Sequence, residues 1–174
     1  MSKEDEVQSP PGPRPRPEGE PSAVVKLREL IESTLDGMVD TYATDDNGNY
    51  VLGLESARVF VVPAWVDETH TVIRVFAITN LEVPITAELT RYLLEKNMEF
   101  VFGGFAIDVE HGAVWFNHNL LGEFVAREEL EATMAAVAHT ADEYDDEIKA
   151  SFGGRLYVEG PAATVPSPPA PGYL

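Results

Sequence analysis

Two adjacent segments, at residues 58–66 (RVFVVPAWV) and 71–79 (TVIRVFAIT), limit what this chain can fold into more than any other feature. They are rich in β-branched and aromatic residues, which favour β-strands, and the short connection between them suits a hairpin. A strand in a sheet with one wet face should alternate apolar and polar side chains. Both segments are apolar at odd and even positions alike, so each face of their sheet needs cover.

Three more strands and three helices are predicted around this hairpin. The five strands are expected at residues 50–54, 58–66, 71–79, 100–107 and 113–118. One helix should follow Ser22 as its N-cap and carry an apolar stripe from Leu27 to Tyr42, and a second should open at 84–86 and end at Asn97. The last helix has the clearest pattern, a heptad-like seam of Leu130, Met134, Val137, Ala141, Tyr144 and Ile148. The order α-β-β-β-α-β-β-α predicts an α+β fold with an antiparallel five-stranded sheet.

Proline content sets the expected domain limits. Residues 1–22 hold six of the 13 prolines and residues 160–174 hold five. Segments of this kind lack the apolar side chains that a core needs, and proline cannot donate to a sheet ladder. We therefore expect disordered tails at 1–22 and 156–174 and one folded domain at 23–155.

The charge balance narrows the classes of partner. The chain has a formal net charge of −18, of which the two tails hold −2 and −1, so the domain carries −15. Such a field repels phosphate backbones and anionic lipid, and it attracts basic peptides. Because of this charge we expect no nucleic-acid binding. No run of 18 apolar residues is present, so we expect no membrane insertion. The absence of cysteine favours a cytoplasmic location.

The residue patterns of catalysis and of metal binding are missing. The sequence has no Gly-x-Ser-x-Gly elbow, no phosphate-binding glycine loop and no cysteine nucleophile. Residues 45–49 only partly resemble a calcium loop, because the glycine falls before the required sixth position and no glutamate stands at the twelfth. The histidines, at 70, 111, 118 and 139, are scattered along the chain. We expect no catalytic residue, no metal site and no cofactor.

Strand parity points to candidate binding residues. Helices can cover one face of the sheet, and the aromatic side chains of the other face would then be available to a partner. In strand 113–118, Val114 and Phe116 are assigned to the helix-covered core and Trp115 to an exposed interaction face. The predicted partner-binding residues are Trp65, Phe76, Phe102, Phe105 and Trp115. In the alternative interpretation, the second helix or a tail covers that face from within the chain.

Sequence details of the second hairpin carry a family resemblance. Residues 102–108 (FGGFAID) lead through a turn to residues 112–116 (GAVWF), and a helix then opens at residues 128–130 (EEL). Together with the element order over residues 24–152, these segments resemble the YbjN-type, type III secretion chaperone-like (CesT-like) superfamily. The resemblance implies a small acidic dimeric chaperone that binds unstructured client segments and catalyses nothing.

These observations favour a non-catalytic module that binds a protein or peptide client on its sheet face and forms a homodimer. One alternative is a regulatory or scaffold protein that only associates with itself. A small hydrolase with an unrecognised site is the third possibility, and a buried carboxylate–histidine pair in a cleft would favour it.

Overall fold

The computed structural model describes residues 19–45, 47–67 and 69–159. The helices are α1 (Ser22–Met38), α2 (Ala87–Asn97) and α3 (Arg127–Phe152), and a 3-10 turn, η1, spans Tyr157–Glu159. The strands are β1 (Ala43–Thr44), β2 (Tyr50–Leu54), β3 (Ala57–Trp65), β4 (Thr71–Leu81), β5 (Gly104–Asp108), β6 (Ala113–Leu121) and β7 (Arg155–Leu156). None of the helices in these ranges is both long and apolar enough to cross a membrane.

The strands form one antiparallel sheet. Their spatial order is β1-β2-β3-β4-β6-β5, and β7 pairs with the end of β4. The predicted α+β class, the three helices and the antiparallel sheet are confirmed, but the sheet has seven strands and the prediction of five is wrong. The two additional strands have two residues each, which is too short for any periodicity to reveal them.

Local signals explain where the helices begin and end. The Thr86 hydroxyl accepts the Leu89 N–H at 3.2 Å and caps α2 at its predicted start. Ser22 is not the cap of α1, because Pro21 holds that position and Ser22 is already helical. This helix ends at Met38, so Tyr42 lies beyond it. Gly153, with φ of +86°, terminates α3 in the left-handed region that favours glycine.

The main core lies between one face of the sheet and the helices. All six residues of the predicted α3 seam are buried there. They pack with Leu27, Ile31 and Leu35 of α1 and with the inward side chains of the strands, among them Val61, Val75 and Phe116. Phe116 is therefore a core residue, as its strand parity predicted.

Residues just outside the predicted domain limits of 23 and 155 pack on the domain. Glu20 forms an ion pair with Arg28 of α1 at 2.8 Å, and both side chains are buried, so this part of the predicted tail packs on the domain. At the other end, residues 156–159 form part of β7 and η1, and the Tyr157 side chain is buried. The expectation of disorder at 1–18 and 160–174 concerns residues outside the described ranges.

Candidate functional site

The face of the sheet that the helices leave uncovered, here called the outer face, carries a second apolar cluster. Its buried members are Phe60, Phe76, Ile78, Leu81, Ala113, Trp115 and Tyr157. Four of their rings form a continuous line, here called the aromatic row: Tyr157, Phe60, Phe76 and Trp115. Consecutive ring centroids are 6.1, 5.0 and 5.0 Å apart. Tyr157 comes from η1, so the chain covers one end of the row itself.

A groove of about 520 Å³ opens at the other end of this row and is called the outer-face groove. Its lining is formed by Arg74, Phe76, Ala106, Ile107, Asp108, Val109, Glu110, His111, Trp115 and Asn117. Phe76 lies opposite Asn117 in the β4–β6 register, and Ala106 lies opposite Trp115 in the β5–β6 register, so these four side chains share the outer face. The groove thus combines an apolar floor with a polar rim.

The turn between β5 and β6 fixes that rim. The Asp108 carboxylate accepts the backbone N–H groups of Glu110 at 3.0 Å and His111 at 3.2 Å. The His111 Nδ1 lies 2.8 Å from the same carboxylate. Desolvation raises the pKa of Asp108, but these hydrogen bonds outweigh it and hold the pKa below its usual range. The carboxylate therefore stays ionised at neutral pH, and the turn presents its apolar tip, Val109, to solvent.

A glycine and an asparagine determine which way the phenylalanines of the β5 hairpin point. Gly103 has φ of +76°, and a Cβ there would lie 2.8 Å from the Asn117 carbonyl oxygen, so only glycine permits this close approach of the two backbones. Asn97 then holds the start of β5, because its amide group accepts the Phe105 N–H at 2.6 Å and donates to the Phe105 carbonyl at 3.1 Å. Phe102 points outward and Phe105 points into the main core.

The five predicted partner-binding residues are therefore not one surface. Phe76 and Trp115 do share the outer face and stack on each other. Phe105 lies on the other face of the sheet, where it is 8 % exposed and packs with main-core rings. Trp65 does not join Trp115, because it has the strand parity of the inward-facing Val61 and ends β3 at 40 % exposure. Phe102 is 70 % exposed and stacks on His118, away from the groove lining.

Trp115 also differs from expectation in its burial. It lies on the predicted face, but it is only 7 % exposed, because Phe76 covers one side of its ring. Its indole N–H is buried, and within the described residues it has no hydrogen-bond acceptor. A buried donor without a partner costs free energy, which a carbonyl oxygen from a bound segment would recover.

A second group of exposed apolar side chains, of which the sequence pointed only to Phe102, lies at the end of α2 and in the residues that follow it. It is called the α2 ridge and comprises Leu94, Met98, Val101 and Phe102, which are 62, 87, 86 and 70 % exposed. Leu94 and Met98 also line an open cavity of about 640 Å³ along the helix. The available signal was the spacing, since Leu89 and Leu93 serve the core while Leu94 and Met98 form a separate i,i+4 pair.

The arrangement of titratable groups does not suggest chemistry on a substrate. Within residues 19–45, 47–67 and 69–159, no three histidine or acidic side chains converge as a metal site would require. His70 and His111 each pair with one aspartate in an exposed turn, and His139 lies 3.7 Å from Glu55 at the surface. The chemistry that the outer-face groove can supply is apolar contact and hydrogen bonding.

Comparison with known proteins identifies a matching family and two complexes of similar fold. Residues 25–160 match a profile described as T3SS (YopN, CesT) and YbjN peptide-binding chaperone 1. The structure is similar to that of the ExsC–ExsE complex, with a TM-score of 0.53 at 18 % identity over 73 % of this chain and 96 % of that chain. It is also similar to the HopA1–SchA chaperone–effector complex, with a TM-score of 0.56 at 10 % identity over 71 and 96 %. No curated protein sequence matches the chain. At these identities the structural likeness concerns the fold.

Proposed function

The chain belongs to the family of T3SS (YopN, CesT) and YbjN peptide-binding chaperones, and from this premise we propose that it binds an extended client segment in the outer-face groove. The family match confirms the resemblance seen in the β5–β6 hairpin. The observation that carries the proposal is the groove itself. Its apolar floor of Phe76, Trp115 and Ala106 adjoins a polar rim, the combination that ligand pockets use for affinity and orientation.

The groove supports a segment of particular chemistry. An apolar side chain of the client would lie on Phe76 and Ala106, and a backbone carbonyl would accept the free indole N–H of Trp115. The groove lining carries two carboxylates, Asp108 and Glu110, against the one arginine, Arg74, and the domain as a whole carries −15. A client segment with basic residues beside its apolar ones is therefore favoured electrostatically.

Binding of this kind requires no catalysis and no cofactor, and a chaperone-like or adaptor role agrees with the family. We place this role in the cytoplasm, because the chain has no cysteine to form disulfides in an oxidising compartment.

Self-association forms the second part of the proposal. The α2 ridge exposes four large apolar side chains, and single-chain proteins seldom leave such a patch open to water. A homodimer that pairs two α2 ridges would bury them and leave both outer-face grooves accessible. The alternative of a scaffold protein, which dimerises without binding a client, depends on this same ridge. The groove experiment described next distinguishes it from the chaperone role.

Filling the groove tests the proposal. Ala106→Arg places a long side chain on the groove floor from an exposed position, so the fold should tolerate it. Ala136→Arg on the exposed surface of α3, on the other side of the sheet, is the matched control. We expect 15-residue peptides selected from a display library on the full chain to bind Ala106→Arg at least about tenfold more weakly, which is about 1.4 kcal/mol. The control should bind like the parent protein, as judged by calorimetry. Equal affinity for both variants would contradict the groove assignment.

A further inference from the structure

The described chain ends on the outer face, beside the aromatic row. Tyr157 is buried and lies edge-on to Phe60 at 6.1 Å. The next residues are held as well, because Glu159 forms an ion pair with Lys149 at 2.8 Å and accepts the Leu156 N–H at 3.3 Å. The segment 160–174 therefore leaves the domain next to the row that leads to the groove.

This segment is long enough to reach the groove and pass through it. From Tyr157 the row takes three ring-to-ring steps of 6.1, 5.0 and 5.0 Å to Trp115, which lines the groove. Fifteen residues in polyproline II conformation span about 46 Å. The amino-terminal proline-rich segment starts elsewhere, because Glu20 is tied to Arg28 of α1 among the helices on the other side of the sheet.

The composition of the segment suits an aromatic groove. Residues 160–174 (GPAATVPSPPAPGYL) contain five prolines and no charged side chain. Proline-rich segments dock in grooves lined with aromatic rings, since their extended backbone is already ordered and its carbonyls are free to accept hydrogen bonds. The indole N–H of Trp115 has no acceptor among the described residues, and a carbonyl of this segment could accept it.

We propose that residues 160–174 of the same chain lie along the aromatic row and occupy the outer-face groove, as an internal ligand that a client must displace. The docking is inferred from the position where the described chain ends, from the aromatic row and from the groove. The role of the segment as a competitor of the client rests on the proposed function. A tethered segment experiences an effective concentration of about 1 mM, so an intrinsic dissociation constant of about 0.1 mM would keep the groove closed about nine-tenths of the time and weaken client binding about tenfold.

Engineered cysteine pairs test the docking directly, because the chain has no cysteine of its own. Ala106→Cys on the groove floor is combined with Ser167→Cys in the carboxy-terminal segment, and disulfide formation in a glutathione buffer is followed on non-reducing gels. Two control pairs replace one partner each: Ala136→Cys with Ser167→Cys, and Ala106→Cys with Ser9→Cys in the other proline-rich segment. We call Ala106→Cys with Ser167→Cys the groove pair, and closure means formation of its disulfide. Within one chain this disulfide should form at least about tenfold faster than that of either control pair, because docking raises the effective concentration of the segment at the groove.

Three outcomes would overturn the docking. Equal closure rates for the groove pair and the Ala136 pair would mean that the segment has no preferred place. Faster closure with Ser9→Cys would assign the groove to the amino-terminal segment. Crosslinks that join two chains and grow with protein concentration would assign it to a second copy.

A full-length variant with Pro166, Pro168, Pro169 and Pro171 changed to glycine tests the competition separately. It should slow closure of the groove pair and bind the selected peptides about tenfold more tightly. The same change at Pro10, Pro11, Pro13 and Pro15 is the matched control and should alter neither quantity. If closure slows but peptide affinity stays unchanged, the segment docks without competing and the competitor role is wrong. If the groove pair closes fast while no peptide binds either variant, the proposed function fails and the docking stands.

Discussion

Two phenylalanines three residues apart in the β5 hairpin should respond very differently to truncation. The Phe105 ring meets Phe100, Phe116 and Tyr144 in edge-to-face contacts at 5.7, 5.2 and 5.5 Å, and it is 8 % exposed. The Phe102 ring is 70 % exposed and stacks on His118 at 5.5 Å. The same substitution at the two positions therefore removes a core ring in one case and a surface ring in the other.

We expect Phe105→Ala to cost about 3–5 kcal/mol of unfolding free energy, because it leaves a cavity and ends three aromatic contacts. For a domain of this size that loss lowers the melting temperature by roughly 10–20 °C. Phe102→Ala should cost less than about 1 kcal/mol in the folded chain, since its ring is largely in water already. Because Phe102 belongs to the α2 ridge, its truncation should weaken self-association instead.

Urea unfolding of both variants, at two protein concentrations about a hundredfold apart, separates folding from assembly, because a dimer's apparent stability depends on concentration. The unfolding midpoint of Phe105→Ala should be low at both concentrations. That of Phe102→Ala should match the parent protein at the low concentration. If Phe102→Ala proves as destabilising as Phe105→Ala at both, the inward and outward assignment of the hairpin is wrong.

Three further predictions concern backbone geometry, pH and salt. Gly103→Ala should destabilise the domain by about 1–3 kcal/mol in urea titrations, because its φ of +76° is strained for alanine and the new Cβ would crowd the Asn117 carbonyl; an unchanged midpoint would refute this. Burial raises the pKa of Asp145 to about 6, so the folded state holds this proton more tightly than the unfolded state and loses stability as the pH rises from about 4 to 6. Asp145→Asn should therefore raise the unfolding free energy at pH 7.5 by about 1–3 kcal/mol and give no gain below about pH 4, and a gain independent of pH would contradict the assignment. In stopped-flow measurements, a basic peptide should associate more slowly and bind more weakly at 500 mM salt than at 50 mM. The reason is that salt screens the attraction, over about 8 Å at physiological ionic strength. Binding that does not depend on salt would mean that the acidic charge serves solubility alone.

The sequence was sufficient wherever one periodicity runs unbroken. The α3 seam repeats over several turns, and all its residues are buried. Alternation within residues 113–118 placed Phe116 in the core and Trp115 on the opposite face. The pattern was less informative at residues 100–107, which were predicted as one strand. The left-handed Gly103 interrupts that segment and β5 begins only at Gly104, so no single alternation relates Phe102 to Phe105.

What the sequence could not supply depends on contacts between distant residues. The strand β7 exists because residues 155 and 156 pair with the end of β4 after the chain has turned at two glycines. Tyr157 then covers part of the outer face by packing on Phe60, a contact that the strand patterns did not indicate. The alternative in which a tail covers this face was thus partly right, through residues of the predicted tail that carry no proline.

Chemical-shift mapping can locate the client site residue by residue and so shows whether it is the outer-face groove. The strongest peptide from the display selection is titrated into the ¹⁵N-labelled full chain, with Ala136→Arg and Ala106→Arg as control and test variants. We expect the largest shifts at the Ala106 amide, the Trp115 indole N–H and the Asn117 side chain, and we expect them to disappear in Ala106→Arg alone. Shifts centred on the α2 ridge, or unchanged binding in Ala106→Arg, would contradict the groove assignment.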